Sequence, residues 1–520
     1  MKNIVIVGGG TAGWITALYA QKIFPKENIT VIESQEIGIL GAGEGSTPPL
    51  IGLLDFLDIP ISDLIENTSA TIKNGIKFTK WSSTKDFYYH GFDVIDPSLN
   101  NFNVNNSFNN FELRNIPFDI LQNYLTDTNV IDFDLVAMAL EENKVVCKLE
   151  NPKKKDVNPI FNYVQHAQFS LHFDARNLAK RLTEIGIERK IKLVDGVVNE
   201  INSQNNGDIK SLILHDGTVV DVDFVFDCTG FAKLFIGKHF NSEWVSFSKH
   251  LPMKKAMPFF IEIDKNNIPA HTESIAMNYG WMWKIPLQHR YGCGYVYDSD
   301  FISDEDAKKE IELYLGFVPT YPREKPFMFN PGCYKDVWIN NCISIGLASA
   351  FVEPLEATSI WQSILLLQDV FNKKENIFNR NKSVMKAINK RYLDQTMEIR
   401  DFIYLHYVTN KNNNDFWKNF TINNEMPDTL KEKISIIQNS ILHDNDHLGV
   451  FSSNSYYRVS SGLDLLNKKT IKKLISSHDL VNLKDYIHGQ NIYKKITCPD
   501  FISHKDFLID LGGFKKELLD

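Results

Sequence analysis

The chain opens with an unbroken apolar run, Ile4 to Val7, which stops at Gly8-Gly9-Gly10-Thr11-Ala12-Gly13. An apolar-rich stretch then continues through Ala20, and a second apolar run, Ile29 to Ile32, closes on Glu33. Short continuous apolar runs bounded by turn residues read as buried strands, and the longer stretch between them reads as a helix. The predicted order is strand, glycine turn, helix, strand, half of a βαβ nucleotide unit. A turn-rich stretch, Gly41 to Pro49, follows, and helical segments lead to a strand predicted over Thr71 to Trp81.

From Pro97 to Asn115 asparagine dominates with interspersed phenylalanine, which predicts an irregular surface excursion. A helix is expected to start around Phe173-Asp174-Ala175-Arg176, with Leu178, Leu182 and Ile185 on its apolar side. Asp223 to Gly230 reads as a buried strand ending in a polar-glycine turn, and Cys342 to Gly346 repeats the pattern. Both are expected to return to the nucleotide-binding sheet after long insertions. Beyond about Thr358 the period is mainly helical, including Val384 to His406 and Leu430 to Leu442. The predicted class is α/β, a Rossmann-like nucleotide-binding fold with an interleaved substrate-binding region and a mainly helical C-terminal part. The expected divisions are 1–50, 165–235 and 335–370 for the nucleotide-binding module, 51–164 and 236–334 for the substrate side, and 371–520 for the helical region that completes the substrate site.

Composition narrows the classes. A chain of 520 residues exceeds one simple core, and 43% hydrophobic residues are ample for a packed interior. A formal net charge of -8 argues against nucleic acid or an anionic membrane as partner. No apolar run approaches a membrane span and the N-terminus lacks a signal-peptide profile, so the expected location is the cytoplasm. The six cysteines have no metal-finger spacing, and no metal is expected.

Gly8, Gly10 and Gly13 permit a tight turn, close approach of a pyrophosphate and close helix-strand packing, while Glu33 can accept from ribose hydroxyls. The motif alone does not separate FAD from NAD. A second fingerprint is not found, so electrons are expected to arrive on the flavin itself if the cofactor is FAD. The second informative pattern is Trp281-Met282-Trp283-Lys284-Ile285-Pro286. At strand period Trp281 and Trp283 share a face as a flat aromatic wall, Met282 points the other way and Pro286 ends the ladder. An ordinary buried aromatic pair fits the same pattern.

Taken with Phe351-Val352-Glu353-Pro354-Leu355-Glu356-Ala357-Thr358-Ser359-Ile360, these motifs make the chain resemble the flavin-dependent tryptophan halogenase family. The hexapeptide matches the family's WxWxIP signature, and agreement continues through Gly43-Glu44-Gly45, Ala70-Thr71-Ile72-Lys73, Tyr89-His90-Gly91-Phe92, His172-Phe173-Asp174-Ala175, Gly294-Tyr295-Val296-Tyr297 and Arg400-Asp401-Phe402. The resemblance implies that reduced FAD and O2 form a peroxyflavin, which halide (chloride or bromide) attacks to give hypohalous acid. That oxidant travels through the interior to a lysine beside the aromatic substrate. Lys73 matches this lysine, either hydrogen-bonding the acid or becoming a haloamine, and Glu356 matches the catalytic glutamate. Without the resemblance, Lys73 would read as a solvated strand residue and Glu356 as a helix-start carboxylate; Glu353 is assigned a structural role.

The resemblance further implies that backbone amides of Thr358 and Ser359 hold halide, with Ser359 standing where the family commonly has glycine. It implies that His90 and Phe92 stack on the substrate plane, although a core aromatic pair is the ordinary reading. Thr11 and Ala12 fall in the nucleotide turn, and Glu44, Val198, Leu347 and Ile360 match flavin contacts. Trp281 and Trp283 then act as a barrier between substrate and flavin. A separate NAD(P)H-dependent flavin reductase is the implied partner, and a homodimer is left open. Family members acting on free tryptophan grip its amino-acid group with paired tyrosines, an acidic residue and a Phe-Trp pair. Here the corresponding stretch, Asp444 to Tyr457, is shorter and carries Val450 and Phe451 at the pair. An indole-like substrate without that group is therefore expected. The rival readings are a flavin-dependent aromatic hydroxylase and a non-catalytic flavin-binding redox protein.

Overall fold

The computed structural model describes residues 1–34, 43–93, 120, 134–149, 163–165, 167–411, 413–418, 425–474 and 500–514. Two compact units are formed, Met1–Thr68 with Phe173–Ser248 and Phe329–Met397, and Ser69–His172 with Lys249–Met328 and Glu398–Asp520. Among the described residues no helix is long and apolar enough to cross a membrane.

The first unit is built on a six-stranded sheet in the order Lys192–Asp195, Asn28–Glu33, Asn3–Val7, Phe224–Asp227, Cys342–Ser344, Trp338–Ile339. The first five strands are parallel and the last is antiparallel. Parallel strands are covered on both faces, which is why Ile4, Val5, Ile6 and Phe224, Val225, Phe226 are continuous apolar runs, all fully buried. Both strands expected to rejoin this sheet do so, Phe224 opposite Ile4 and Cys342 opposite Val225.

The first helix, Thr11–Ile23, runs one turn past the expected end because Lys22 and Ile23 continue the pattern before Pro25. The helix expected near Phe173 is Ala175–Glu188, capped by Asp174, whose carboxylate accepts from Arg176 N at 2.9 Å and Asn177 N at 3.3 Å. Such a cap contributes about 1 kcal/mol. The helix packs tightly on the first one: a Cβ at Gly186 would lie 2.3 Å from the Trp14 ring.

The second unit carries a seven-stranded sheet, Phe327–Met328, Lys255–Glu262, Arg290–Tyr297, Gly280–Pro286, Thr272–Ala276, Gly75–Thr79, Phe87–Gly91. The tryptophan hexapeptide lies in its centre. One correction concerns the strand expected over Thr71 to Trp81, which is two strands, Thr71–Lys73 and Gly75–Thr79. Asn74 breaks the ladder: its N–H donates to Ala270 O at 2.8 Å, so the two pieces pair with different partners. Thr71–Lys73 runs antiparallel to Ser170–His172, whereas Gly75–Thr79 joins the large sheet. The later helices are Lys382–Tyr407, Asp428–Asn439 and Ser453–Gly462. Residues 97–115, read as an excursion, lie outside the described residues.

Candidate active site

In the first unit the glycine turn is a cradle shaped by close backbone approach. Gly8 has φ +117°, and a Cβ there would lie 2.1 Å from Cys228 O. A Cβ on Gly13 would lie 1.8 Å from Gly8 O, whereas at Gly10 it would meet nothing within 4 Å. Gly10 is the N-cap of Thr11–Ile23 and supplies no side-chain cap, and the first turn holds no acid. Open space at an uncapped helix N-terminus suits a diphosphate. Glu33 ends the neighbouring strand and accepts from Trp14 Nε1 at 3.3 Å; burial raises its carboxyl pKa.

The other residues matched to flavin contacts gather on the same unit. Gly346, at φ +68°, lies so close to the first helix that its Cβ would sit 2.8 Å from Ala12 Cβ, which brings the Gly346–Ala348 turn and Leu347 against the glycine cradle. Gly196 N donates to Glu33 O at 2.8 Å, placing Val198 just beyond the same strand end. Glu44 lies on Gly43–Gly45, and burial, with Asp174 adding repulsion, pushes its carboxyl up to about 7. The residues present fit a flavin dinucleotide.

The halide candidates follow directly. Pro354–Glu356 forms a 3-10 turn, Ala357 takes a left-handed φ of 55°, and the helix Thr358–Phe371 begins without a side-chain cap or first-turn acid. Amides at such a start attract an anion. Thr358 and Ile360 are buried and Ser359 is exposed. Glu353 and Glu356 are both buried, at 0% and 3% exposure. Burial therefore does not separate catalytic carboxylate from decoy.

The second unit holds Lys73, His90, Phe92 and the two tryptophans. Lys73 is fully buried, and its ammonium lies 5.5 Å from the Phe92 ring centroid. Phe92 follows the strand Phe87–Gly91 and is tied back by Phe92 N donating to Asn74 O at 2.8 Å. His90 lies 5.6 Å from the Phe402 ring. Thus Lys73, Phe92 and His90 flank the Asn74 break.

Trp281 is 1% exposed and Met282 faces the core formed with Phe259 and Tyr295, as strand alternation requires. The two indoles adjoin as expected, but the wall they make is bent and not flat: the rings are tilted by 57° with centroids 6.2 Å apart. Trp283 is opposite Gly294, where a Cβ would lie 2.1 Å from the indole. The missing side chain lets Trp283 fold across its partner strand, so its plane departs from that of Trp281.

In the C-terminal part, Phe451 stacks on Phe402 at 3.7 Å and 12°, and Tyr456 meets Phe402 edge-on at 5.0 Å. Two of the nearby buried carboxylates are ion-paired, and Glu398 keeps Oε1 without a hydrogen bond. Glu398 lies 3.4 Å from His447 Nδ1 and accepts from Val450 N at 3.3 Å, Asp401 pairs with Arg400 at 2.6 Å, and Asp134 pairs with Arg458.

Sequence reasoning assigned no role to His172, which falls in a matching motif, and had no signal for His271 and His504; all three are buried histidines of the second unit. Burial lowers all three, to about 3 for His271 and about 4 for His504, with the Lys73 charge next among the causes at His172. Folded values below the ordinary 6.5 mean that the unfolded chain binds more protons as pH falls through 6.5. Their stabilising contribution is complete above that value and is lost toward the folded values. The raised Glu44 carboxyl opposes them over the same window, so we expect the unfolding free energy read from urea midpoints to fall from pH 7 to pH 5 by up to about 1.4 kcal/mol per pH unit for each histidine in excess of that one acid. A constant midpoint over that window would contradict neutral burial.

The tryptophan halogenase family model matches residues 3–478. The chain is 29% identical over 526 residues to the tryptophan 7-halogenase RebH of Lentzea aerocolonigenes, covering 94% of each, and 27% identical over 513 residues to the tryptophan 6-halogenase ThaL of Streptomyces albogriseolus, covering 91% of each. The solved structure of Xcc4156, a flavin-dependent halogenase from Xanthomonas campestris, matches with a TM-score of 0.84 at 26% identity over 99% of each chain. These relationships favour halogenation over the hydroxylase and redox-protein readings, and they imply flavin, halide and O2 as reactants. The chain belongs to the tryptophan halogenase family and is a flavin-dependent halogenase, an enzyme of the oxidoreductase type.

Proposed function

We propose that this enzyme uses FADH2, delivered by a separate NAD(P)H-dependent reductase, to halogenate an electron-rich, indole-like aromatic in preference to free tryptophan. The bound flavin, with O2 and chloride or bromide, supplies hypohalous acid. Gly8, Gly10, Thr11, Ala12 and Gly13 would hold its diphosphate, Glu33 its ribose, and Glu44, Val198, Leu347 and Ile360 the remainder. The uncapped amides of Thr358 and Ser359 would hold halide. The observation that carries the reading is Lys73, a fully buried lysine beside Phe92. Lysine is seldom fully buried, and its flexible stem and tunable amine suit it to a reactive role.

Lys73 receives the oxidant and presents its halogen to a ring stacked by His90 and Phe92. As the carbon-halogen bond forms, the oxygen-halogen bond breaks, the ring proton departs and water leaves. Glu356 is suited to stabilise the cationic ring or take that proton. Trp281 and Trp283 keep substrate away from the flavin. Selectivity against the amino acid is supported by the pairing of Asp401 and Asp134 with arginines, and by Phe451 stacked on Phe402. A zwitterion entering this region would bury charges without satisfying them.

Competition between indole and tryptophan, with reductase, NADH, FAD and bromide, tests the proposal. The kcat/KM for indole is expected to exceed that for tryptophan by at least about tenfold, since one unsatisfied buried polar group costs roughly 1–3 kcal/mol. Preference for tryptophan would overturn the substrate assignment.

A further inference from the structure

We propose that His504 is a positioning residue for Lys73, fixing the short strand that carries it. The inference rests on the proposed role of Lys73. Thr71–Lys73 has three residues, too few to define its position strongly by a single antiparallel ladder. Ile72 N, the amide immediately before Lys73, donates to His504 Nε2 at 2.9 Å instead of to a carbonyl. An imidazole nitrogen that accepts carries no proton, so Nδ1 holds it and donates to Ile268 O at 3.1 Å. His504 is fully buried, and its lowered pKa agrees with a neutral ring.

The start of the strand is held by a second chain of bonds. Thr71 Oγ1 donates to Pro286 O at 2.7 Å and therefore accepts from His172 Nδ1 at 3.2 Å, while His172 Nε2 accepts from Thr272 Oγ1 at 2.9 Å. Proton positions along this chain are thus determined. Gln288 adds bonds to Ser69 O at 3.3 Å and Ala70 O at 2.8 Å, and its Oε1 accepts from Phe514 N at 2.6 Å. His504 and Phe514 both belong to the segment 500–514, beyond the 3–478 stretch matched by the family model. The segment is itself anchored by Val145 N to Ile502 O at 3.1 Å and His504 N to Asn143 O at 2.9 Å. A lysine has a long flexible stem, so its reach is reproducible only when its Cα is fixed. His504 supplies the fixed point at the residue before it.

The experiment compares His504→Leu, which fills the space without an acceptor, with His504→Gln, whose carboxamide oxygen can accept from Ile72 N. Both are assayed as full-length enzyme with reductase, FAD, NADH, bromide and indole. The readouts are brominated indole per NADH, oxidant captured by a thioether in solution, and hydrogen-exchange protection of the Ile72 amide. We expect His504→Leu to lose about tenfold or more in product per NADH, to release more oxidant to the thioether and to lose Ile72 protection, at unchanged FAD affinity. His504→Gln should restore most of the yield. Equal yields in the two variants, with Lys73→Ala inactive, would overturn the positioning role. Full bromination by Lys73→Ala would instead overturn the role of Lys73 itself.

Discussion

Lys73→Ala is expected to reduce halogenation by at least about a thousandfold, roughly 4 kcal/mol of transition-state stabilisation, while leaving FAD binding and peroxide release unchanged. The size follows from what is removed: a buried amine beside the Phe92 ring, the group proposed to deliver halogen to carbon. Because Lys73 is fully enclosed, the alanine also leaves a cavity, and its cost must be separated from chemistry. Lys73→Met provides the control. It retains most of the stem volume without an amine, so it should be as inactive as alanine while melting closer to the parent. Activity in the methionine variant would assign the alanine loss to packing.

Glu356→Gln should lower kcat by about a hundredfold to a thousandfold. The substitution preserves volume and hydrogen bonding but removes the charge that opposes a cationic ring and the base that takes its proton. Glu353 lies in the same buried segment, and Glu353→Gln is the internal comparison. If Glu356 acts on the reaction, its variant loses turnover with little change in Tm, and the Glu353 variant shows the reverse. Equal loss of turnover in both would deny Glu356 its separate role.

Much of the first unit was legible because its signals are local. Gly8 to Gly13 lies between two apolar runs, and the N-cap Asp174 sits beside its helix, so neighbouring residues carry the information. Conformation set by distant partners was not legible. The break at Asn74 depends on Ala270 O, and the tilt of Trp283 depends on the empty position opposite it at Gly294. His504 is the extreme case, bonded to an amide 432 positions earlier in the chain. Its local signal is a helix start, Ser503 accepting from Asp506 N at 3.1 Å, which reveals the helix and not its partner. Motif resemblance named Lys73 and Glu356, but similar burial of Glu353 and Glu356 left their division of roles to mutagenesis.

Halogenation through Lys73 is tested most directly by the mass spectrum of indole after incubation with the purified enzyme, a flavin reductase, NADH, FAD, O2 and bromide. The predicted result is a monobrominated product with the bromine isotope doublet, absent when bromide or reductase is omitted and absent with Lys73→Met. A product heavier by one oxygen, formed equally with and without bromide and retained by Lys73→Met, would contradict it.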